Sequence, residues 1–538
     1  MKTVIISASF FLILSIGLSQ EITWDWQTTF GGTGSNHPIV LTQDHMNNSL
    51  VLGVFNGELI LDTTVLNSGI ADHYYLAKFN DFGDACWIKD LYYSGLSYAV
   101  DIDANLDNEI FVAGKEITNP LYGEGFIKVV KFNDQGAELS EIKTDTVRYS
   151  DITCLELDDS GSIYISGGYS YDFSIDTIDW VQNNGIDMFY IKLDTAGNVL
   201  FGRNAWISGM DGYGVYKMAT DAFGNSVLGG AIAAVADFGN GVTLNPVGIA
   251  PFAVYYDAIG NAQWAKNGIS NCQGELSDLD IYNGKVFTTG YYCEDLVFGD
   301  DTISAPSNLN MYFATFFIDG SLDTLFSLSS IGSNGDDQGV NITHDSFGNF
   351  YFTGGFGDTL IFGTDTLLED TSFVSPDLIA DDYMVGKYDS DHNPIAAYRL
   401  NNIENFFGWG DLYTNPAGDV YFVGVSLDTV NKSNTGQSYI AKKGSIAFGI
   451  PQEEYCFSRP LLKSYPNPVS DKITVKLTDR NDKISRYEIY NIDGKILSAG
   501  TADSSSTEIS TGSLSDGNYI ICVLSDKGNR FSVKFLKQ

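Results

Sequence analysis

The sequence predicts an all-β fold, a seven-bladed β-propeller followed by a small immunoglobulin-like β-sandwich. Two motifs recur along most of the chain, seven times each, and together they supply four strands to every repeat. Residues 464–538 lack both motifs and alternate short apolar strands with turns. Four-stranded antiparallel sheets repeated around an axis are propeller blades, whereas short alternating strands of this kind are typical of a sandwich.

The first motif is clearest in HDSFGNFYFTGGF, which begins at His344. An Asp, a Gly-Asn turn and a short aromatic or β-branched strand indicate one β-hairpin. The glycines that close the seven copies are Gly53, Gly114, Gly167, Gly229, Gly290, Gly354 and Gly424. Their spacing of about 50 to 70 residues is typical of propellers and solenoids.

The second motif follows each first motif and places an Asp/Asn-Gly turn between two further strands. Its copies begin at His73, Phe126, Met188, Phe252, Met311, Asp382 and Ser438. The first-motif strands are apolar on successive residues, as in Phe350-Tyr351-Phe352. Successive apolar residues indicate a sheet that is covered on both faces, which favours stacked blades over a sandwich for this part of the chain.

Some repeats differ from the others in the segment between their two hairpins. Segments related to F-G-x-D-T, which predict an extra small hairpin, begin at Glu58, Phe173, Ala236, Leu296 and Leu360. The second and seventh repeats have ITNPLYGEG and LDTVNKSNTG instead, so we expect plainer blades there. The seventh repeat also stops after its third strand. Residues 22–30 resemble a fourth strand, and we expect them to complete the last blade and remove two exposed sheet edges.

The N-terminal residues predict export. Lys2 precedes an apolar run from Val4 to Leu14, and Gly17 and Ser19 suit the −3 and −1 positions of a cleavage site. We therefore expect a signal peptide at 1–19, a propeller at 20–447, a proline-containing linker at 448–463 and the sandwich at 464–538. No later segment is apolar enough to span a bilayer, so the mature chain is expected to pass through the periplasm without a membrane span.

Composition restricts the partners. The chain has 68 acidic and 30 basic residues, a net charge of -38, with 44% hydrophobic residues as in a folded protein. Such a charge repels nucleic acid phosphates and anionic lipids, so neither is an expected partner.

Cysteines are six in number. If Asn283-Gly284 is a two-residue turn, the residue numbers of any two positions that face each other across its hairpin add up to about 567. Cys272 and Cys293 sum to 565, which predicts a disulfide, with two unpaired thiols as the alternative. The other cysteines, Cys86, Cys154, Cys456 and Cys522, are expected to be small buried side chains.

No catalytic, cofactor-binding or metal-binding residue is predicted. The histidines His37, His45, His73, His344 and His392 lack metal-site spacing. Alternating Asp101, Asp103, Asn105 and Asp107 resemble a calcium loop only superficially, since Leu106 stands where that loop needs Gly. The repeat Asp residues, such as Asp221 and Asp345, are expected to bond the backbone of their own turns. The recurring Trp26, Trp87 and Trp264 are expected to pack between blades.

With D-x-x-G-N, an aromatic strand, F-G-x-D-T and K-φ-D-x-x-G, the repeats resemble the SBBP type of β-propeller repeat of exported bacterial proteins. The resemblance covers about four fifths of the chain and implies an architecture but not a chemistry, because propellers host many functions.

The terminal module resembles the type A C-terminal sorting domain of the type IX secretion system of Bacteroidota. The residues that carry the resemblance are Tyr465, Pro466, Asn467, Pro468, Gly494, Lys495, Gly517, Tyr519, Lys534 and Lys537. The resemblance implies that the type IX machinery is a partner and carries the folded protein across the outer membrane. It also implies that the domain is then removed, with the cargo released or attached to the surface. The extra Gln538 is the one departure.

The expected function is that of a secreted or cell-surface, non-catalytic propeller that binds a glycan or a protein. One alternative is a polysaccharide hydrolase or lyase with acidic residues at the mouth of the ring. Two carboxylates about 5 to 9 Å apart beside an aromatic platform would favour that alternative. A purely structural surface-layer or adhesion component is the other alternative.

Overall fold

Seven four-stranded antiparallel sheets, the blades, follow one another in the first part of the computed structural model. The structure describes residues 21–176, 178–182, 186–207, 214–270, 272–331, 336–369, 382–400, 403–404, 410–426, 437–444, 462–465, 469–477, 483–491, 496–515, 517–526 and 530–537. Contacts divide the chain into two units, residues 1–449 and 450–538. The expected signal peptide and most of the expected linker lie outside the described residues.

Each blade is ordered from an inner strand to an outer strand. The inner strands are Asn36–Gln43, Tyr98–Ala104, Ser150–Leu157, Val215–Thr220, Gly274–Tyr282, Gln338–His344 and Asp411–Thr414. The second strands are Ser49–Phe55, Ile110–Asn119, Ile163–Tyr169, Ser226–Ile232, Lys285–Phe298, Phe350–Phe356 and Val420–Ser426. The third strands are His73–Phe79, Glu124–Phe132, Asp187–Leu193, Ala250–Tyr256, Asp301–Phe317, Asp382–Tyr388 and Gln437–Lys443. The outer strands are Ala85–Asp90, Glu138–Lys143, Val199–Ile207, Ala262–Asn267, Leu322–Leu328, Pro394–Leu400 and, for blade seven, Trp26–Phe30.

The ring closes as the sequence predicts. Trp26–Phe30 pairs antiparallel with the third strand of blade seven, Gln437–Lys443, so the start of the propeller completes its last blade. Further bonds reinforce the closure, including one from the Ser438 backbone N–H to the Asn36 side-chain oxygen at 2.8 Å. Each inner strand contacts the next around the ring, and that of blade seven contacts that of blade one. Closure covers the edge of Gln437–Lys443, which would otherwise be open to pairing with other chains.

Seven buried clusters hold neighbouring blades together, one at each boundary. The boundary of blades five and six, for example, packs Phe313 and Phe352 edge to face, with ring centroids 4.8 Å apart. The remaining boundaries are filled in the same way. Burying one such aromatic side chain contributes about 1.5–3 kcal/mol, so the repeated aromatic strands supply most of the cohesion. This explains why second strands are apolar on both faces.

The three recurring tryptophans, Trp26, Trp87 and Trp264, each tie their own blade to the following one, which confirms the sequence-based expectation. The indole N–H of Trp87 donates to the Asp134 carbonyl at 3.1 Å, and that of Trp264 donates to the Ile318 carbonyl at 2.9 Å. Both acceptors lie in the outer turn of the following blade. A Cβ on Gly320 of that turn would come within 2.7 Å of Trp264, so the indole packs directly on the glycine backbone.

The turn acids also behave as expected. Asp345 Oδ1 accepts the backbone N–H groups of Phe347 and Asn349, and Asp221 makes the equivalent pair of bonds. In blade two this role falls to Asn105, not to Asp103, which faces the centre of the ring.

Extra hairpins occur in the five repeats that the sequence indicates. Four are separate pairs: Glu58–Leu61 with Thr64–Asn67, Phe173–Ile175 with Ile178–Trp180, Ala236–Asp237 with Thr243–Leu244, and Thr359–Phe362 with Asp365–Leu368. In blade five the extra hairpin is the continuous tip of the second and third strands. Blade two instead lengthens its central hairpin, and the corresponding segment of blade seven lies outside the described residues. Short elements complete the unit: Leu91–Ser94, a 3-10 turn, and strands Val147–Arg148, Ile269–Ser270 and Ile403–Glu404.

The second unit has two antiparallel sheets. One contains Leu462–Tyr465, Lys472–Leu477 and Ser506–Ser510, and the other contains Ile496–Ser504, Ile484–Asn491, Gly517–Ser525 and Arg530–Lys537. Ile473 and Val475 of the first sheet and Ile489 and Ile521 of the second share one buried core. Two sheets with a common core form the predicted β-sandwich.

Candidate functional site

The seven inner strands surround an axial channel whose lining is set by a repeated β-bulge. In six of these strands the pairing slips by one residue at the same point, as between Ala99 and Asp101. The residues after the slip, with their blade-seven equivalent, form what we call the bulge ring: Val40, Asp101, Cys154, Lys217, Asp278, Asn341 and Asp411. Two residues further along, the acidic ring comprises Thr42, Asp103, Glu156, Ala219, Asp280, Thr343 and Tyr413.

The acidic ring borders a cavity of about 390 Å³ on one side of the bulge ring. A second cavity of about 490 Å³, which includes Tyr98, Tyr216 and Tyr383 in its lining, lies on the side of the bulged residues. Asp101, Lys217 and Asp411 of the bulge ring border both cavities. The bulge ring therefore separates a carboxylate-rich chamber from an aromatic one.

Four carboxylates of the two rings bind the backbone of the following blade. Asp101 accepts the Leu155 N–H at 2.8 Å, and Asp103 accepts the Leu157 N–H at 2.9 Å. Asp278 and Asp411 accept the equivalent N–H groups of Ile342 and Leu41, both at 2.8 Å. The bulge exposes inner-strand N–H groups to the neighbouring blade, and carboxylates satisfy them. These acids consequently act as inter-blade links.

Lys217 is the only lysine among the described residues that line the carboxylate-rich chamber. Its Nζ lies 3.9 Å from Asp278 Oδ1. The carboxylates of Asp411 and Asp101 also attract its positive charge. Burial alone would lower the pKa of Lys217, but these facing carboxylates outweigh burial and raise it. Lys217 thus remains a cation at the level of the bulge ring and offsets part of its negative charge.

Burial raises the pKa values of the channel acids despite their hydrogen bonds. The pKa of Asp101 and that of Asp278 are each raised to about 7. Burial likewise raises the pKa of Asp103, and it raises that of Glu156, with Asp103 and Asp101 adding to the effect on Glu156. Several of these acids are therefore partly protonated near neutral pH, which reduces repulsion within the rings.

His344 has a role that the sequence analysis missed. Its Nδ1 contacts Asp280 Oδ2, and its ring lies 4.1 Å from that of Tyr282. Burial lowers the pKa of His344, but Asp280 more than compensates and the net shift is upward. The one sequence signal for the His344–Asp280 pair is the alternation of side chains along the strand Gly274–Tyr282, which turns Asp280 toward the next inner strand. Within the described residues, no group of three or more His, Cys, Asp or Glu side chains is arranged to hold a metal ion.

The predicted disulfide pair is brought together. Cys272 and Cys293 are joined in the structure, with Cα atoms 6.0 Å apart, and the Asn283-Gly284 hairpin pairs Tyr282 with Lys285 as the prediction assumed.

The remaining cysteines differ in their exposure. Cys154 is buried as expected. The expectation of burial is wrong for Cys86, which is exposed because alternation on the outer strand of blade one turns it to solvent. Cys456 and the side chain of Cys522 lie outside what the structure describes.

Part of the sorting motif converges on the edge of the C-terminal sandwich. Gly517 pairs with Lys537, and Tyr519 stacks on Phe535 with ring centroids 5.6 Å apart. Val469, just after the proline motif, donates its N–H to the Leu536 carbonyl at 2.8 Å. Tyr465 ends the first strand of the sandwich, and the Lys534 backbone pairs with Ile520. The other motif residues, Pro466, Asn467, Pro468, Gly494 and Lys495, lie outside the described residues.

Comparison with known proteins identifies this module. The model of the secretion system C-terminal sorting domain matches residues 463–538. No curated protein matches the chain. Among solved structures, PorZ of the type-IX secretion system of Porphyromonas gingivalis shares 12% identity and a TM-score of 0.37, over 94% of this chain and 60% of that one. A member of the DUF4221 family from Bacteroides vulgatus shares 11% identity and a TM-score of 0.32, over 78% and 99%.

The chain spans only 60% of the length of PorZ, and at this similarity no activity carries over. In the part of the chain that the structure describes, no helix is long and apolar enough to cross a membrane. The protein is a β-propeller that ends in a type IX secretion-system sorting domain, which directs it to the cell surface or the medium.

Proposed function

We propose that this exported propeller is a non-catalytic scaffold that binds an extracellular glycan or protein. The observation that carries the proposal is that the channel carboxylates are already hydrogen-bonded within the protein. Each of four accepts a backbone N–H of the next blade: Asp101, Asp103, Asp278 and Asp411. Carboxylates that link blades are poorly suited to move during a reaction. The rigid ring is instead suited to present the loops at its rim.

The test of binding uses the purified full chain on a glycan array and in pull-downs from the surrounding medium and cell envelope. The proposal predicts at least one saturable ligand and no turnover of it. A protein that binds nothing in either screen would contradict the scaffold function.

Export is tested separately. Deleting residues 464–538 is expected to leave the protein in the periplasm, whereas a control substitution at an exposed propeller side chain, Cys86→Ala, should still be exported. Fractionation and immunoblotting measure both. Secretion of the truncated chain would contradict the role of the sorting domain.

A polysaccharide hydrolase is the second candidate, and one observation favours it. The pKa of Glu156 is raised by burial beside Asp103 and Asp101, and a protonated carboxyl beside other carboxylates is the arrangement of a general acid. Release of reducing ends from a polysaccharide panel, abolished by Glu156→Gln, would establish the hydrolase and displace the scaffold.

A further inference from the structure

Blade two departs from the repeat at its rim, and the departure builds a pocket. Its second and third strands extend to Asn119 and from Glu124, so a tight turn replaces the extra hairpin of other blades. The short strand Val147–Arg148 then pairs with Glu124 and Gly125. A cavity of about 580 Å³ opens beside this pairing, between blades two and three.

Arg148 and Tyr171 line this cavity, and two further exposed tyrosines, Tyr122 and Tyr149, lie beside them. We call the cavity together with these four side chains the tyrosine pocket. Tyr122, Tyr149 and Tyr171 are 51%, 50% and 48% exposed, far more than the buried tyrosines of the blades. The Arg148 guanidinium lies 5.3 Å from the ring of Tyr122 and 5.9 Å from that of Tyr171. The rings of Tyr149 and Tyr171 are also 5.9 Å apart. Three half-exposed aromatic side chains and one guanidinium are thus gathered in one place.

The backbone holds Tyr149 in a conformation that its side chain does not favour. Its φ of 47° is left-handed, which is unfavourable for a residue with a Cβ. Gly123 makes room for it, since a Cβ on Gly123 would lie 3.3 Å from Tyr149 Cδ1. The ring is half exposed and contacts Gly123, Tyr171 and the Leu121 carbonyl, so the strained backbone holds it at the rim of the blade and not in the core. Strain of this kind concentrates at functional sites.

The polar groups of the pocket indicate the ligand's charge. Arg148 pairs with Glu124, which neutralises it, and Asp172 adds a further carboxylate to the lining. An anionic ligand would meet a net negative site on a chain of charge -38. A neutral sugar offers apolar C–H faces that stack on tyrosine rings, and hydroxyl groups that bond to guanidinium and carboxylate edges.

We infer that the tyrosine pocket binds a neutral oligosaccharide, stacked on Tyr122 and Tyr171 and hydrogen-bonded by Arg148 and Glu124. The inference rests on the proposed scaffold function and gives that function a location and a ligand class.

The test screens the full chain against an array of neutral hexose and pentose oligosaccharides beside uronic-acid and sulfated ones. We expect binding to at least one neutral oligosaccharide. Calorimetry with that oligosaccharide should show affinity at least 10-fold weaker for Tyr122→Ala and for Tyr171→Ala. Arg148→Lys should also weaken binding, because Lys keeps the charge but loses the planar guanidinium that lies against the rings of Tyr122 and Tyr171. Tyr93→Ala, at an 80% exposed tyrosine of blade one, is the matched control and should bind as the parent does.

The outcomes separate the two proposals. If a neutral oligosaccharide binds and the pocket variants leave its affinity unchanged, the pocket assignment is overturned and the scaffold function stands. Preference for acidic glycans, or binding of protein alone, overturns the ligand class. Absence of any ligand, glycan or protein, overturns both. Thermal melting within about 2 °C of the parent for each variant shows that lost affinity does not come from lost folding.

Discussion

The axial channel and the tyrosine pocket differ in residue type, in burial and in their relation to the repeat. The channel repeats a bulge in six inner strands, and blades two, five and seven add an inward acid that bonds to the next inner strand. The pocket exists because blade two breaks the repeat. In the channel the polar side chains are buried and bonded, whereas in the pocket the aromatic side chains are exposed and the backbone is strained. The difference indicates that repetition in this chain builds the scaffold and that irregularity builds the binding surface.

The largest expected effect comes from removing the strand that closes the ring. Deleting residues 21–30 strips blade seven of its outer strand and exposes the third strand, Gln437–Lys443. We expect loss of the cooperative thermal transition or aggregation, measured by calorimetry and light scattering. As a control, protein expressed without the expected signal peptide, residues 2–19, should melt as the parent does. A melting temperature equal to the parent's after deletion of 21–30 would show that the channel does not depend on closure.

The disulfide is expected to contribute next. Replacing Cys272 and Cys293 by Ala opens a loop of 21 residues and should lower the free energy of unfolding by about 2–3 kcal/mol. Denaturant unfolding measures the change, and mass spectrometry after alkylation without reductant should find these two thiols unlabelled. Cys86→Ala, at an exposed thiol, is the control and should have no effect. Alkylation of both residues in the folded protein would refute the bridge.

A substitution of Lys217 tests whether balancing the charge of the channel carboxylates stabilises the propeller. Lys217→Met should destabilise the fold by about 1–3 kcal/mol, less than a fully buried pair because the channel admits water. The loss should be larger at pH 8 than at pH 5, since protonation neutralises the facing acids. Lys217→Arg keeps the charge and should retain most of the stability. Equal unfolding curves for the Lys217→Met variant and the parent protein at pH 8 would contradict this account.

A smaller effect is expected from pH alone. The pKa values of Asp101 and Asp278 are raised to about 7 from 3.8, so the folded state binds more protons than the unfolded state between these values. Their contribution to stability is therefore present below about pH 4 and is lost as pH rises through 7. We expect a melting temperature a few degrees higher at pH 5.5 than at pH 8. The double variant Asp101→Asn, Asp278→Asn should flatten that dependence, and an unchanged slope would contradict it.

The smallest stability effect should come from the pocket. Tyr149→Gly removes an exposed ring and relieves a left-handed φ, so the free energy of unfolding should change by less than about 1 kcal/mol. Oligosaccharide binding should weaken in the same variant. A large destabilisation would mean that Tyr149 belongs to the scaffold, and the contrast between the two regions would fail.

The sequence predicted the scaffold better than either site. Hydrophobic strands, Asp-Gly turns and recurring tryptophans are local signals, so blade number, ring closure and the extra hairpins follow from them. The channel was missed because one bulge residue decides which acids face inward: Asp101 and Asp103 resemble turn or calcium-loop acids until the slip after Ala99 is known. The pocket was missed because Tyr122 and Tyr171 are 49 positions apart and meet only when blades two and three stack.

Ring closure by Trp26–Phe30 also determines when, during synthesis, the fold can be completed. This strand is synthesised before all seven inner strands, yet its partner, Gln437–Lys443, is made after about 400 further residues. The last sheet therefore stays incomplete until the whole propeller has been translated. Until then Trp26–Phe30 lacks its partner in that sheet, so closure is the last step of folding in this unit and the one before which a strand edge is open to other chains.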